Sequence, residues 1–333
     1  MEELRALLRP SSRVRIGPGD DAAVLSSAGP DLVLTTDLLA EGVDFLSDEN
    51  PETIGRRALA VNLSDIAAMG GRPEFFLLSI AFPSSRGREF PLAIARGALT
   101  WASAYGVDLV GGDLSDARQT VVSVLLGGRV EGEPITRSGA KAGDLLFLSG
   151  WPGRAAAGLS LARRRAEGGR AVPLAPQQDE ELQAAYRDPE PRVELGMWLG
   201  RERIARAAID VSDGLGLDAS RLARASGVRV VLRRDRIPVS PAVARAAAAL
   251  QTDPFDWILS GGDDYELLFA VARANAARVE EEGSRQRVPL TPVGAIEKGS
   301  GAVLRGADGD ADISDLGHDH FDSRQSRKDS DLK

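Results

Sequence analysis

Acidic residues recur where this chain passes between a turn and a predicted β-strand. Such junctions stand at residues 19–21, 36–37, 111–113, 210–214 and 261–264, most of them beside glycine. Glycine leaves the backbone free to turn, and the neighbouring runs are apolar and rich in branched residues. One junction of this kind indicates an ordinary turn. Five of them predict that the strand ends converge and bring their carboxylates to one site.

The remaining pattern predicts helices and strands in two domains. A length of 333 residues is typical of two domains, and we place the boundary near the loop at 136–144. The predicted domains are therefore residues 1–140 and 141–321, followed by a charged, disordered tail at 322–333. Predicted helices cover 2–9, 51–69, 90–105, 217–225 and 242–250, and predicted strands cover 32–36, 75–81, 108–110, 121–131, 145–149, 208–211 and 228–232.

The composition excludes several kinds of chemistry. The chain has no cysteine, and its two histidines, His318 and His320, stand together near the C-terminus. Cysteine nucleophiles, thiolate metal sites and a histidine base in the body of the fold are therefore not expected. The chemistry has to depend on carboxylates, hydroxyls, arginine, lysine and cations bound by oxygen.

The charge balance and the N-terminus bear on partners and location. The net charge is -8, and no basic stripe with interleaved aromatic residues is present, so nucleic acid is not an expected partner. No apolar run is long enough to span a membrane, and the N-terminus is acidic where a signal peptide is basic. We expect a cytoplasmic protein that contacts no membrane.

The predicted helix at 51–69 carries a carboxylate in apolar surroundings. Asn50 is a good N-cap, and Asn62 and Asp65 lie one turn apart on the same face. Asp37 is predicted at the end of the strand that begins at Leu32. A carboxylate buried among small apolar residues needs a partner, and a bound cation is one candidate.

Convergence of the five junctions would place at least six carboxylates in one site, which is unstable unless divalent cations neutralise them. Ligands that are all oxygen indicate magnesium, which usually binds together with substrate phosphates. Arg137 and Lys141 supply cations for the same phosphates. The chain lacks a Walker motif and the protein-kinase signatures. The residues alone thus predict a magnesium-dependent enzyme that acts on phosphates.

Seven segments of the chain, taken in order, form a recognisable set of motifs: Gly19-Asp20-Asp21-Ala22-Ala23, Thr35-Thr36-Asp37, Asn62-Leu63-Ser64-Asp65-Ile66-Ala67-Ala68-Met69-Gly70, Gly111-Gly112-Asp113, Thr136-Arg137-Ser138-Gly139-Ala140, Asp210-Val211-Ser212-Asp213-Gly214-Leu215 and Ser260-Gly261-Gly262-Asp263-Asp264-Tyr265-Glu266-Leu267. They resemble the motifs of the thiamine-monophosphate kinase family, and the resemblance covers residues from about 15 to 321. That family belongs to a superfamily with aminoimidazole ribonucleotide synthetase, selenophosphate synthetase and the hydrogenase maturation dehydratase.

The resemblance implies transfer of the ATP γ-phosphoryl group to thiamine monophosphate, with several Mg²⁺ ions bound. The nucleophile is a phosphate oxygen that is already ionised, so no catalytic general base is expected. Of the two adjacent acids in the first turn, Asp21 is the implied ligand, whereas Asp20 serves the turn or a neighbouring contact. The magnesium ligands implied by the resemblance are Asp21, Thr35, Thr36, Asp37, Asp65, Asp113, Asp210 and Asp213.

The resemblance also implies the contacts to nucleotide and substrate. Gly112, Asp113, Arg137 and Ser212 would contact ATP. The implied substrate contacts are Asp44, Asp263, His318 and Phe321. The chain departs from the family pattern at two of these, because Asp44 stands where a histidine is frequent and His318 stands where an aromatic residue is expected.

The implied fold is α+β with two domains. The N-terminal domain would form a β-barrel shared across a homodimer, and ATP would lie in the cleft between the domains. Two alternatives stay open at this stage. One is another ATP-dependent member of the superfamily with a different acceptor, of which selenophosphate synthetase is disfavoured by the missing cysteine. The other is a non-catalytic module that binds a nucleotide or cations.

Overall fold

The N-terminal half forms a β-sheet of six strands in the order β1-β2-β3-β6-β4-β5. The computed structural model describes residues 11–317. Strands β4 and β5 are parallel, and the other neighbouring strands are antiparallel. The elements of this half are β1 Val14–Ile16, β2 Ala23–Leu25, β3 Asp31–Ala40, α1 Pro51–Ala68, β4 Arg72–Phe82, a short 3₁₀ helix Ser84–Arg86, α2 Glu89–Tyr105, β5 Asp108–Asp116 and β6 Val121–Val130.

Helix α1 begins as its sequence predicts and lies unusually close to α2. The side chain of Asn50 accepts a hydrogen bond from the backbone N of Glu52 at 2.9 Å. A Cβ atom on Gly55 would lie 1.8 Å from the carbonyl oxygen of Ile94, and one on Gly97 would lie 1.8 Å from the carbonyl oxygen of Glu52. The two helices therefore contact each other through their backbones, which requires glycine at both positions.

The C-terminal half forms a sheet of seven strands in the order β13-β12-β9-β11-β7-β10-β8. Strands β9 and β12 are parallel, and the other neighbouring pairs are antiparallel. Its elements are β7 Leu145–Ser149, α3 Arg154–Ala166, α4 Pro176–Arg187, α5 Val193–Arg201, β8 Ala205–Val211, α6 Leu215–Ser226, β9 Arg229–Arg233, α7 Pro241–Leu250, α8 Pro254–Ser260, β10 Glu266–Val271, a 3₁₀ helix Arg273–Asn275, α9 Ala276–Gln286, β11 Leu290–Glu297, β12 Ala302–Gly306 and β13 Gly309–Asp312.

Helix α1 joins the two halves. It packs on β3 and β6 of the first sheet and also contacts α5 and β8 of the second half. A Cβ atom on Gly196 in α5 would lie 2.1 Å from the carbonyl oxygen of Ala67 in α1. One apolar core contains Ile66 of α1, Leu199 of α5 and Phe269 of β10. Residues on α1 consequently reach the end of β8.

Two of the predicted junctions are strand interiors instead. Strand β3 runs from Asp31 to Ala40, so Asp37 lies within the strand and not at its end. Strand β5 continues through Gly111, Gly112 and Asp113 to residue 116, so these residues form no turn. A Cβ atom on Gly112 would lie 1.9 Å from the carbonyl oxygen of Leu78 in β4, so close approach of the strands explains that glycine. The predicted helix at 2–9 lies outside the described residues.

Candidate active site

Three carboxylates from three separate elements meet between the halves. Asp21 comes from the turn between β1 and β2, Asp65 from α1 and Asp210 from β8. One carboxylate oxygen of each lies within 4.8 Å of the others. Asp21 and Asp210 are buried, and Asp65 is partly buried. Like charges at this separation repel each other, and three carboxylates placed in this way could hold a metal ion.

The electrostatics of this group agree with a site that needs positive charge. Burial raises the pKa of Asp65 well above its ordinary value, and the charges of Asp37, Asp210 and Asp21 raise it further. Burial likewise raises the pKa of Asp210, followed by the charges of Asp21 and Asp218. A divalent cation would stabilise the ionised form of every one of these groups.

The donors around the three carboxylates fit a hard cation. The hydroxyl of Thr35 donates to Asp65 Oδ2 at 2.5 Å, and the hydroxyl of Ser64 donates to Asp210 Oδ2 at 2.7 Å. The oxygen atoms that meet at the three carboxylates therefore belong to carboxylate and hydroxyl groups. Ligand atoms of this kind suit magnesium, calcium or manganese.

Asp37 extends the group towards Asp213. Burial raises the pKa of Asp37, a hydrogen bond with Asp65 opposes this, and the charges of Asp213 and Asp44 raise the pKa again. The backbone N of Asp37 donates to the amide oxygen of Asn62 at 3.1 Å. The predicted acids Asp21, Asp37, Asp65, Asp210 and Asp213 are thus brought into one electrostatically connected region.

Arg137 contacts both Asp20 and Asp21, one through its backbone and the other through its side chain. Its guanidinium contacts both carboxylate oxygens of Asp21, with Nη2 2.9 Å from Oδ1 and Nε 3.2 Å from Oδ2. Its backbone N donates to Asp20 Oδ1 at 2.8 Å. The structure thereby places the predicted nucleotide contact Arg137 directly beside the three carboxylates.

The loop that carries Ser212 and Asp213 rests on a carboxylate that sequence reasoning missed. Asp218 is fully buried, and its Oδ2 accepts hydrogen bonds from the backbone N atoms of Ser212 and Asp213, both at 3.0 Å. Arg221 Nη1 lies 2.7 Å from Asp218 Oδ1 and 2.5 Å from Asp213 Oδ2. Burial raises the pKa of Asp218 to about 7, although the Arg221 charge opposes the shift. An acid and an arginine three residues apart, just after the motif, were the available signal.

Asp263 lies at a second, separate contact between the halves. Its backbone is left-handed, with φ of 62°, and its N donates to the carbonyl oxygen of Ser212 at 2.8 Å. Arg57 Nη2 lies 2.6 Å from Asp263 Oδ2, and the Tyr265 hydroxyl donates to Oδ1 at 3.0 Å. Arg57 is 4% exposed and lies over the ring of Tyr186. Arg57 is not among the predicted site residues, and its one sequence signal is that it stands directly before the apolar run at 58–61 of α1.

Three further predicted residues are not members of the three-carboxylate group. Thr36 is exposed, and its hydroxyl donates to the carbonyl oxygen of Val124 at 2.9 Å. Gly112 and Asp113 lie on the exposed edge strand β5, where Asp113 is aligned with Ser79 of β4.

The predicted substrate residues are only partly described. The Asp44 carboxylate accepts a hydrogen bond from the backbone N of Ala40 at 2.7 Å and so closes the turn after β3. His318 and Phe321 lie outside the described residues.

In the part of the chain that the structure describes, every helix is too short or too polar to cross a lipid bilayer.

Two models of known protein families together match nearly the whole of the described chain. The model of the AIR synthase related protein N-terminal domain matches residues 19–130, and that of the AIR synthase related protein C-terminal domain matches residues 141–306. The HypE protein in the HypE-HypF complex has a TM-score of 0.74 at 20% sequence identity, which shows a common fold.

More similar relatives carry one common name. The thiamine-monophosphate kinase of Mycobacterium tuberculosis is 38% identical over 263 residues, which are 78% of this chain and 76% of that protein. The thiamine-monophosphate kinase of Bacillus subtilis is 35% identical over 322 residues, or 93% of this chain and 94% of that protein. The solved structure of AaThiL complexed with AMPPCP and TMP has a TM-score of 0.81 at 30% identity, over 96% of this chain and 94% of that one. Given this identity over most of both sequences, the chain belongs to the thiamine-monophosphate kinase family.

Proposed function

We propose that the chain transfers the γ-phosphoryl group of ATP to the phosphate of thiamine monophosphate. A phosphate oxygen of the acceptor forms a bond to the γ-phosphorus, the bond from that phosphorus to the β,γ-bridging oxygen breaks, and thiamine diphosphate and ADP leave. The observation that carries this proposal is the group formed by Asp21, Asp65 and Asp210, in a chain whose relatives are thiamine-monophosphate kinases.

The proposed mechanism consists of positioning and charge neutralisation. The acceptor oxygen is ionised at neutral pH, so the chain needs no residue to remove a proton. Bound Mg²⁺ would neutralise the phosphates that otherwise repel each other. The proposed ligands are Asp21, Thr35, Thr36, Asp37, Asp65, Asp113, Asp210 and Asp213.

Contacts to the nucleotide are proposed at Gly112, Asp113, Arg137 and Ser212. Arg137 is already fixed by two contacts to Asp21, so its guanidinium needs little reordering to meet a phosphate. Ser212 lies next to Asp213 on the loop fixed by Asp218, which supports a role at the same phosphates.

The substrate site is proposed at Asp263 and Asp44, with His318 and Phe321. Asp263 is held by Arg57 and by the Tyr265 hydroxyl, so its orientation is set before any ligand binds. In this proposal Asp263 faces the cationic thiazolium ring of thiamine monophosphate.

We further propose a homodimer in which the N-terminal sheets of two copies form a shared β-barrel. Strand β5 is exposed along its whole length and ends the sheet as an unpaired edge among the described residues. Val110 and Leu114 on this strand are 58% and 61% exposed. Long edge strands that expose large apolar side chains are normally covered, and a second copy of the same edge would cover this one. We place this dimer in the cytoplasm, where a soluble biosynthetic kinase has access to ATP.

A substrate-dependence assay tests the proposed reaction. Purified chain with ATP and Mg²⁺ is expected to release ADP and form thiamine diphosphate only when thiamine monophosphate is present. Chelation of Mg²⁺ by EDTA should abolish both products, and free thiamine serves as the control acceptor. ADP release at the same rate without thiamine monophosphate would contradict the proposal, because water would then be the acceptor of the phosphoryl group. Nucleotide or Mg²⁺ binding without any turnover would favour a non-catalytic module.

A further inference from the structure

Asp218 lies beneath the loop that carries Ser212 and Asp213, and none of its carboxylate contacts is needed to begin its own helix. Helix α6 has Gly214 at its N-cap, with no side-chain capping bond. The two backbone N atoms that donate hydrogen bonds to the Asp218 carboxylate belong to Ser212 and Asp213, which precede that cap. The carboxylate therefore fixes the loop in front of the helix.

Arg221 connects the same carboxylate to the side chain of Asp213. Its Nη1 lies between Asp218 Oδ1 at 2.7 Å and Asp213 Oδ2 at 2.5 Å. Asp213 is in this way fixed twice, through its backbone N by Asp218 and through its carboxylate by Arg221. The side chain of Arg221 is 32% exposed and that of Asp218 is 0% exposed, so water competes little with the inner contact.

We infer that Asp218, assisted by Arg221, is a positioning residue that aligns Ser212 and Asp213 for the Mg²⁺ and nucleotide phosphates of the proposed reaction. The inference depends on the proposed function. Groups that orient a metal ligand typically change metal affinity by about 10- to 100-fold when they are removed. Asp218 touches neither substrate nor reacting atoms in this assignment, and it acts only through the loop.

The chain offers a matched control for a buried aspartate of the same type. Asp144 is 3% exposed, and its carboxylate accepts hydrogen bonds from the backbone N of Lys141 and from Arg206 Nη1, both at 2.9 Å. It thus has a main-chain donor and an arginine, as Asp218 has, but it lies outside the three-carboxylate group. Asp144→Asn measures the cost of losing such a carboxylate without any effect on the Ser212–Asp213 loop.

The first test measures Mg²⁺ binding without nucleotide or substrate. The melting temperature of the full chain is recorded against Mg²⁺ concentration for the unaltered chain, Asp218→Asn and Asp144→Asn. We expect the Mg²⁺ dissociation constant fitted to these melting temperatures to rise about tenfold for Asp218→Asn and to stay unchanged for Asp144→Asn. Equal values for all three proteins would overturn the inference.

The second test uses turnover and a double variant. In Asp218→Asn we expect the Mg²⁺ concentration that gives half-maximal turnover to rise about tenfold. The kcat at saturating Mg²⁺ should fall less than about threefold. In the melting-temperature titration, adding Asp218→Asn to Asp213→Asn should produce no further rise in the Mg²⁺ dissociation constant, because the ligand that Asp218 positions is gone. A lower kcat with an unchanged Mg²⁺ concentration for half-maximal turnover, or additive effects in the double variant, would show a merely structural role.

Two measurements on the unaltered chain complete the test. Hydrogen exchange at the Ser212 and Asp213 amides should already be slow without Mg²⁺, and fast exchange there would overturn the inference even if Asp218→Asn did not fold. Absence of turnover with thiamine monophosphate would contradict the proposed function alone, since the Mg²⁺ titration and the exchange measurement need no substrate.

Discussion

The turns of the Asp20-Asp21 and Asp263-Asp264 pairs have the same local sequence, a glycine followed by two aspartates. In each pair the carboxylate of one aspartate accepts a hydrogen bond from a backbone N–H group. Asp20 accepts a hydrogen bond from the backbone N of Arg137 at 2.8 Å, and Asp264 accepts one at 2.7 Å from the residue that precedes α3. Adjacent acids thus avoid sharing one site, because one of the two is used to fix the turn.

The other member of each pair faces an arginine from a distant part of the chain, and here the turns differ. Arg137 contacts Asp21, and Arg57 contacts Asp263. Asp21 has two further carboxylates within 4.8 Å, whereas the second polar contact of Asp263 is a tyrosine hydroxyl. The first turn has excess negative charge that one arginine does not balance, and the second is balanced. The surrounding elements, not the local sequence, determine which turn needs cations.

The largest effect should follow from removing the charge of Asp21. Asp21→Asn takes away a carboxylate of the three-carboxylate group, so we expect turnover to fall by at least about 100-fold, more than for loss of a group outside the ligand set. Steady-state ADP release with thiamine monophosphate measures this. Asp20→Asn is the paired control with an expected loss of less than about tenfold, because Asp20 only fixes the turn. Equal losses in both variants would contradict the division of the pair.

The next effect concerns stability at the second turn. Arg57→Gln leaves the Asp263 carboxylate without its cation, and breaking a buried ion pair in this way costs about 3 to 5 kcal/mol. Because the Asp263 side chain is 31% exposed, we expect a smaller loss, about 2 kcal/mol, in the free energy of unfolding measured with urea.

Arg96→Gln is the control for this experiment, since Arg96 is 54% exposed and its contact to Glu52 is long, at 3.5 Å. Its effect should stay within about 0.5 kcal/mol. The Mg²⁺ dissociation constant fitted to the melting temperatures should be the same in Arg57→Gln and in the unaltered chain. A shift in that constant would mean that the two turns are not independent.

The smallest effect, taken per pH unit, is a pH dependence of stability at Asp264. Burial raises its pKa to about 8, with a further increase from Glu266 and an opposing contribution from backbone N–H groups. Between about pH 4 and pH 8 the folded chain therefore binds more protons at this group than the unfolded chain, so a rise in pH lowers the free energy of unfolding. The slope is at most about 1.4 kcal/mol per pH unit for one proton.

Urea unfolding in EDTA at several pH values between 5 and 8 checks this expectation. Asp264→Asn should flatten the decline, because its amide cannot ionise. The same slope in the unaltered chain and in Asp264→Asn would show that Asp264 does not ionise in this range.

Much of the fold followed from local sequence. Strand β7 has the predicted bounds, Leu145–Ser149, and α1 begins at the predicted cap, Asn50. Strand β5 was predicted too short, because glycine usually ends a strand and here it permits close contact with β4. Helices α4 and α5 were not predicted, the first because its sequence is polar and the second because its apolar stripe is short.

Local sequence predicts the site residues only in part, because some of them depend on contacts between distant parts of the chain. The acids Asp21, Asp65 and Asp210 lie together, as the family resemblance implies, whereas Asp113 and Asp263 of the five predicted junctions are not in that group. Arg57 and Asp218 were missed because their importance comes from contacts that only the folded chain creates. Arg57 meets its partner across 206 residues of sequence. No local pattern encodes a contact of that kind.

The glycine contacts of α1 also determine which parts of the molecule are able to move. Contact with α2 through Gly55 and Gly97, and with α5 through Gly196, leaves no side-chain layer that would permit sliding. Asp65 therefore lies on a rigid frame common to both halves. The turn after β1 and the end of β8 therefore bring Asp21 and Asp210 to a carboxylate that stays in place.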